Sequence, residues 1–140
     1  ERQALTLFML RVDDFERYTA TFDRAAGDAL LKRVSNAVAS CFRRSSDLLA
    51  RYEDDLFAVL TTSMDEAHMQ AHGQSVCARV ADLRIHHPHS RYRRYVTLSV
   101  GVAGGVPAAG TTLEGLVEAA LGPLEQARAE GDAARVAVLR

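Results

Sequence analysis

The chain has 140 residues, 48% of them hydrophobic, and a formal net charge of −1. This length is enough for one domain with a proper core and too short for two ordinary domains. The near-neutral charge excludes a general electrostatic attraction to duplex nucleic acid or to an acidic membrane surface.

The hydropathy and the cysteine content of the sequence indicate its cellular compartment. No apolar run in the sequence is long enough to cross a bilayer, and only two cysteines occur, Cys41 and Cys77. We therefore expect a cytoplasmic protein with reduced thiols and no direct insertion into a membrane. The sequence starts abruptly on a strand-like segment and ends just after another. We expect residues 1–140 to be one domain excised from a longer multidomain protein.

The first segment predicts a strand followed by a helix. Residues 4–10 form a continuous apolar run, which is typical of a central strand buried on both faces, and the run ends at Arg11. Asp13 and Asp14 then favour the first turn of a helix. Aromatic residues follow at helical spacing, namely Phe15, Tyr18 and Phe22.

A second helix and a hairpin come next. The pair Gly27-Asp28 breaks the helical pattern, so the second helix is predicted to begin near Asp28. Two short apolar runs, 48–50 and 57–60, predict a pair of buried strands with an acidic turn between them. Three consecutive carboxylates at one turn are tolerable if they stay solvated or if a divalent cation such as Mg²⁺ neutralises them.

The second half of the chain predicts two more helices and two more strands. A helix is expected over 65–83, followed by three histidines around Pro88 that indicate a surface loop rather than a metal site. Residues 95–103 alternate as a strand does. A last helix is predicted to begin at Thr111 or Thr112 and to kink at Gly122-Pro123, and an edge strand is expected over 135–139.

These elements predict the order βααββαβαβ. This order is typical of an α/β (α+β) domain in which helices cover a central, mostly antiparallel, five-stranded sheet.

Three motifs at consistent offsets carry a resemblance to a known family. They are RYEDDLF at 51–57, Arg-x-x-Asp at 44–47 and Thr-x-Ser-x-Gly at 97–101. The sequence resembles a GGDEF domain, the nucleotidyl-cyclase-like domain of diguanylate cyclases, in which the first motif reads Arg-Tyr-Gly-Gly-Asp/Glu-Glu-Phe. The resemblance covers nearly all 140 residues and implies a part in bacterial second-messenger signalling.

The resemblance also implies an activity whose metal site is altered here. Family members join two GTP molecules into cyclic di-GMP, with Mg²⁺ held by two carboxylates. Arg11 stands where the family has the first of these carboxylates, and Asp55 matches the second. Because this replacement inverts the local charge, we expect Arg11 and Asp55 to form an ion pair and no metal to bind.

Other departures fall in the nucleotide site implied by the resemblance. Glu53 and Asp54 replace two glycines that let the nucleotide approach the backbone, and Thr19 replaces the asparagine that reads guanine. Matching residues remain at Asp28, for the base, and at Arg128, for a phosphate. The altered family motif thus consists of Glu53, Asp54, Asp55, Leu56 and Phe57, and no catalytic residue is expected.

The Arg-x-x-Asp motif is unaltered. In the family it is the inhibitory site for the product, so Arg44 and Asp47 are the predicted residues for cyclic di-GMP, with Arg43 and Arg79 as additional cations. A guanidinium and a carboxylate complement the phosphates and the guanine edge of this ligand. The alternative is that Arg44 and Asp47 simply pair with each other.

The sequence therefore predicts a catalytically inactive GGDEF domain that binds cyclic di-GMP or regulates a neighbour. Its expected partners are cyclic di-GMP, an EAL (cyclic di-GMP phosphodiesterase) domain or another domain of the same chain, and a second copy in a homodimer. No cofactor is expected. The first alternative is an active diguanylate cyclase, which would need Mg²⁺; the second is a dimerisation or docking domain without a ligand.

Overall fold

The computed structural model describes residues 5–105 and 113–138. Within these ranges five strands and four helices follow one another in the predicted order βααββαβαβ. The elements are β1 Leu5–Val12, α1 Phe15–Thr21, α2 Arg24–Ala39, β2 Leu48–Glu53, β3 Leu56–Thr62, α3 Glu66–Ala81, β4 Leu98–Gly105, α4 Leu113–Glu130 and β5 Ala133–Val138.

The strands form one sheet in the order β2-β3-β1-β4-β5. Every neighbouring pair is antiparallel except β4 and β5, which are parallel. The apolar run of β1 occupies the centre, as predicted, because its residues from Leu7 to Leu10 are all apolar and can be covered on both faces.

Side chains of β1 alternate between two hydrophobic cores. Phe8, Leu10 and Val12 belong to the larger core, which also contains residues of α1, α2 and α3. Leu7 and Met9 belong to a smaller core on the opposite face, beneath α4. The molecule is therefore a three-layered sandwich with helices on both faces of the sheet.

β2 departs from the prediction of a buried strand. It is the outermost strand and is mostly exposed, with Leu48 64% accessible. Only β3 flanks it, so the apolar run of β2 borders the core at Leu49 alone. The apolar run of β3, one strand closer to the centre, contributes Phe57 and Val59 to the larger core.

The predicted break at Gly27-Asp28 is wrong. α2 begins at Arg24, and the Asp23 side chain caps it by accepting a hydrogen bond from the Ala26 amide at 2.7 Å. Gly27 lies inside the first turn, where a Cβ atom would come within 2.5 Å of Thr19 Cγ2. This glycine therefore permits close packing of α1 on α2 rather than ending a helix.

The last helix also differs from its prediction. α4 continues through Pro123 without interruption. It lies so close to β4 that a Cβ on Gly101 would be 2.4 Å from the Ala120 carbonyl oxygen and from the Leu124 nitrogen. The predicted cap at Thr111 or Thr112 and the last residue of the predicted edge strand lie outside the described residues.

The histidine segment forms a loop, as predicted, but it is not wholly on the surface. His87 is fully buried, and its Nε2 lies 3.0 Å from the Asp14 carbonyl oxygen. The ring also packs edge-on against Tyr18. Within residues 5–105 and 113–138, no group of three or more His, Cys, Asp or Glu side chains is placed to hold a metal ion.

Candidate functional site

The acidic turn lies at the tip of the β2–β3 hairpin, beside the end of β1. Arg11 follows Leu10 on β1 and directs its guanidinium toward the turn: Nη1 donates to Asp55 Oδ1 at 2.9 Å, and Nη2 donates to Glu53 Oε1 at 3.1 Å. The predicted ion pair between Arg11 and Asp55 is confirmed. The second carboxylate, Glu53, was not predicted as a partner.

The Arg11–Asp55 pair is partly shielded from water, because the two side chains are 21% and 19% accessible. A backbone hydrogen bond from Val12 N to Asp55 O, 3.0 Å long, holds the turn against the end of β1. Arg11 Nε is buried and has no hydrogen-bond partner among residues 5–105 and 113–138. The hairpin tip is thus fixed to β1 by one guanidinium between two carboxylates.

A cleft of about 610 Å³ beside this tip brings most of the predicted nucleotide residues together. Its lining includes Thr19 and Asp28 from the two first helices and Asp54 and Asp55 from the turn. Leu56 and Phe57 are instead buried core residues. Glu53 does not line this cleft; it faces Arg11.

Arg128 lies at the C-terminal end of α4 and lines a neighbouring cleft of about 300 Å³ together with Arg11 and Asp55. Its Nη1 donates to Glu125 Oε1 at 2.8 Å, one helical turn earlier. The predicted phosphate contact therefore sits near the altered turn, but its charge is already paired on the surface.

A third cleft, of about 660 Å³, contains the Arg-x-x-Asp motif. Arg43, Arg44 and Asp47 line it, opposite residues of α3 such as His68 and His72. The cleft lies between the end of α2, the start of β2 and α3.

Arg44 and Asp47 do not pair through their charged groups. Asp47 Oδ2 accepts from the Arg44 backbone amide at 3.1 Å, and Asp47 Oδ1 accepts from Thr61 Oγ1 at 2.5 Å. The Arg44 guanidinium instead approaches Thr62 Oγ1 at 3.4 Å. The alternative of a direct ion pair is therefore wrong, and the guanidinium retains donors for another group.

Arg79 is exposed on α3 but does not line this cleft. Arg79 interacts electrostatically with Cys41, which lines the cleft. Burial raises the pKa of the Cys41 thiol, and the positive charge of Arg79 opposes that rise. Arg79 is one helical turn beyond Ser75, which does line the cleft.

A buried carboxylate, predicted only as part of a helix start, connects three segments: the end of β1, the start of β4 and the turn between α4 and β5. Asp13 accepts hydrogen bonds from Thr97 Oγ1 at 2.7 Å, from Ser99 Oγ at 2.5 Å and from the Asp132 amide at 2.9 Å. Burial raises the pKa of the Asp13 carboxyl, although these three donors oppose the rise. The Thr-x-Ser motif at 97–99 thus serves to hold Asp13.

Contrary to the sequence prediction, Asp13 and Asp14 do not form the first turn of α1; the helix begins at Phe15, and Asp14 precedes it. The backbone of Asp14 is left-handed, with φ 51° and ψ 38°, and its side chain makes no capping hydrogen bond. The carboxylate instead accepts from Arg91 at Nη2 (2.7 Å), at Nε (3.0 Å) and at the backbone amide (2.7 Å). This fork fastens the loop before β4 to the end of β1.

The Arg91–Asp14 contact should make stability sensitive to acid. Burial raises the pKa of the Asp14 carboxyl, but the hydrogen bonds and charge of Arg91 outweigh it and leave the pKa below its ordinary value. The contribution to folding is therefore complete above the unfolded-state pKa of about 4 and is lost as pH falls through the lower folded-state pKa. Arg91→Leu removes this contribution.

Urea unfolding of the parent and of Arg91→Leu checks this prediction. The difference between their unfolding free energies should shrink as the pH is lowered from about 6 to about 2. Arg94→Leu, at an exposed arginine of the same loop, is the matched control and should show no such trend. A difference for Arg91→Leu that stays constant over this range would contradict the prediction.

Comparison with known proteins decides the family. A family model described as "Diguanylate cyclase, GGDEF domain" matches residues 1–134. The chain belongs to the GGDEF family. This family is that of the diguanylate cyclases of cyclic di-GMP signalling, and the sequence-based assignment is confirmed.

Similar proteins include Diguanylate cyclase A of Treponema denticola, which is 27% identical over 103 residues. That match covers 74% of this chain but only 27% of the Treponema protein. The GGDEF chain therefore spans about a quarter of the length of this relative.

Solved structures share the fold. The GGDEF domain of DgcB from Caulobacter crescentus, in complex with cyclic di-GMP, has a TM-score of 0.79 at 18% identity, covering 97% of this chain and 78% of that one. Diguanylate cyclase SiaD from Pseudomonas aeruginosa, in complex with its activator SiaC, has a TM-score of 0.77 at 26% identity, covering 98% and 50%. The single α+β domain with its five-stranded sheet is thus the GGDEF fold. In the described part of the chain, no helix is both long and apolar enough to span a bilayer.

Proposed function

We propose that this GGDEF domain is catalytically inactive and acts as a cyclic di-GMP-binding or regulatory module. The observation that carries the proposal is the guanidinium of Arg11, which lies between Asp55 and Glu53 where the family pattern places a metal ion.

The donor set at the hairpin tip does not fit Mg²⁺. This ion needs oxygen ligands in a near-octahedral arrangement and is repelled by a neighbouring cation. Asp55 is already bonded to Arg11, whose positive charge lies 2.9 Å from the carboxylate oxygen. We therefore derive no catalytic step through a metal at this site.

The second support is steric. The turn carries side chains at Glu53 and Asp54, where the family has glycines, and Asp54 lines the 610 Å³ cleft. A nucleotide phosphate brought to this backbone would meet carboxylates, which add bulk and like-charge repulsion. GTP is therefore held poorly or excluded.

The third support comes from the intact motif. Arg44 and Asp47 line a cleft of about 660 Å³, a volume within the range of ordinary small-molecule sites. The Arg44 guanidinium has donors beyond its 3.4 Å contact with Thr62 Oγ1 that can bind a phosphate or a guanine edge. The Asp47 carboxylate has lone pairs beyond the two hydrogen bonds it accepts. Cyclic di-GMP carries both groups.

The regulated neighbour is proposed to be an EAL domain or another domain of the same protein, in a cytoplasmic setting in which Cys41 and Cys77 stay as free thiols. The two alternatives from the sequence remain as outcomes of experiment: an active diguanylate cyclase, or a dimerisation or docking domain that binds no nucleotide.

Calorimetry with cyclic di-GMP tests the binding proposal. We expect binding by the parent and a roughly ten- to hundredfold weaker affinity for Arg44→Ala, because charge-assisted hydrogen bonds contribute about 1.5–3 kcal/mol. Arg33→Ala removes an exposed arginine on α2 outside the cleft and is the matched control. Glu53→Gly, at the altered turn, should also leave the affinity unchanged.

Two results would contradict this prediction. One is that no heat of binding is detected with cyclic di-GMP at a concentration of several hundred micromolar, roughly the range in which weak specific binding is still measurable. The other is an Arg44→Ala variant that binds as tightly as Arg33→Ala. Either result would leave the docking alternative.

A further inference from the structure

Of the two edge strands of the described sheet, β2 and β5, β2 is the more exposed. β2 pairs with β3 along one side only, and the strand is mostly exposed. The opposite edge, β5, is half-buried and packs against α3 and α4. An unpaired strand edge is a template for another strand, and natural proteins usually blunt it with charges, proline or a bulge. The bulge in β2 falls between Arg51 and Glu53, so the segment before it is regular.

β2 begins at Leu48, and Asp47 directly precedes it. Residues 47–51, here called the β2 edge, are self-complementary if the antiparallel pairing extends by this one residue. With Leu49 opposite Leu49 of a second copy, Leu48 faces Ala50, and Asp47 faces Arg51. We propose that two copies of this chain associate through their β2 edges, forming a continuous sheet of ten strands around a twofold axis. This interaction surface goes beyond the proposed function and does not rest on it.

The register follows from charge and exposure. Centring the pair on Ala50 instead would place Arg51 opposite Leu49, and centring it on Leu48 would place Asp47 opposite Leu49. Of these three registers, only the one centred on Leu49 brings opposite charges together, and the twofold axis makes this contact twice.

A pair centred on Tyr52 would place Arg51 opposite Glu53, but it would have to pair across the bulge between those two residues. The register centred on Leu49 also covers Leu48, one of the most exposed large hydrophobic side chains, and leaves the bulge outside the paired segment.

The charged residues are available for this contact. The Arg51 guanidinium lies 5.8 Å from the centre of the Phe57 ring and makes no hydrogen bond or ion pair within residues 5–105 and 113–138. Asp47 accepts two hydrogen bonds, from the Arg44 amide and Thr61 Oγ1, and a carboxylate can accept about four. Arg51 of one copy can therefore reach Asp47 of the other without breaking either bond.

The small size of the contact sets its strength. Five residues on each side bury less than the roughly 1,200–2,000 Å² of a standard stable interface, so we expect weak, reversible dimers. Sedimentation equilibrium on the chain without any nucleotide, at concentrations up to about 1 mM, measures this association.

Charge reversal tests the register. Asp47→Arg places arginine opposite arginine, and Arg51→Asp places aspartate opposite aspartate, so each variant alone should dimerise about tenfold more weakly than the parent. A mixture of the two variants pairs opposite charges at both contacts and should recover the association of the parent. A mixture that associates no better than either variant alone overturns the proposal, as does a parent that stays monomeric at about 1 mM.

A further variant keeps the test decisive if Asp47→Arg does not fold, since Asp47 holds Thr61. Leu48→Lys introduces a charge at the centre of the β2 edge and should abolish dimers. Leu113→Lys changes a leucine of similar exposure, 60% against 64%, at the start of α4 and should leave them intact. Equal effects of these two substitutions would overturn the proposal.

Discussion

Incubated with GTP and Mg²⁺ or Mn²⁺, this GGDEF chain should release no cyclic di-GMP above a control without protein. A metal ion contributes several kcal/mol to stabilising a phosphoryl transition state, and each 1.4 kcal/mol is about tenfold in rate, so its loss alone costs on the order of a thousandfold. The Arg11 guanidinium, bonded to Asp55 and Glu53, occupies the position that this ion would need. Glu53 and Asp54 further hinder the approach of the nucleotide.

Chromatographic separation of the products, with a detection limit well below one turnover per protein molecule, makes the measurement. The triple variant Arg11→Asp, Glu53→Gly, Asp54→Gly restores the family residues at these three positions and should bind GTP more tightly than the parent. Equal affinities of the parent and the triple variant for cyclic di-GMP, measured by calorimetry, would show that both proteins are folded. Product formed by the parent chain would contradict the prediction and favour the cyclase alternative.

Asp13→Ala should cause the largest loss of stability of any substitution considered for this chain. The change removes the acceptor of three hydrogen bonds, from the Thr97 hydroxyl, the Ser99 hydroxyl and the Asp132 amide. The first two of these bonds are buried and the third is partly buried. Each buried donor left unsatisfied costs about 1–3 kcal/mol, so the free energy of unfolding should fall by at least about 3 kcal/mol. That is a large fraction of the roughly 5–15 kcal/mol of an ordinary domain.

Urea denaturation followed by circular dichroism measures this effect. Asp28→Ala, at an exposed aspartate on α2, is the matched control and should change the unfolding free energy by less than about 0.5 kcal/mol. If Asp13→Ala is too unstable to purify, Ser99→Ala removes a single donor and should cost about 1 kcal/mol. An Asp13→Ala protein as stable as Asp28→Ala would contradict the conclusion that the hydrogen bonds of Asp13 stabilise the fold.

The arginines that line the clefts differ in how fully their guanidinium groups are already bonded. Arg91 donates to Asp14 from its backbone amide, Nε and Nη2, and Arg128 is paired with Glu125. Arg44, by contrast, has one long contact with Thr62. A free guanidinium binds an anion without first losing a partner, which favours the Arg44 cleft over the altered turn as the place for a phosphate.

The sequence by itself determined the element order, the central position of β1 and the charge inversion at Arg11. These features can be recognised from residues that are close together in the chain. A continuous apolar run indicates a strand buried on both faces, and the known motif shows at which position Arg11 replaces a carboxylate. The ion pair between Arg11 and Asp55 was predictable for the same reason, because the motif specifies which two positions meet.

Only the tertiary structure decided which groups bind the carboxylates of Asp13 and Asp14. Asp13 is held by donors 84 to 119 residues away in the chain, and Asp14 by Arg91, 77 residues away. Exposure of β2 depended likewise on its place at the edge of the sheet, since its local sequence resembles that of a buried strand. Periodicity reports which face of an element is apolar, whereas the partner of a polar group depends on which distant segments the folded sheet brings together.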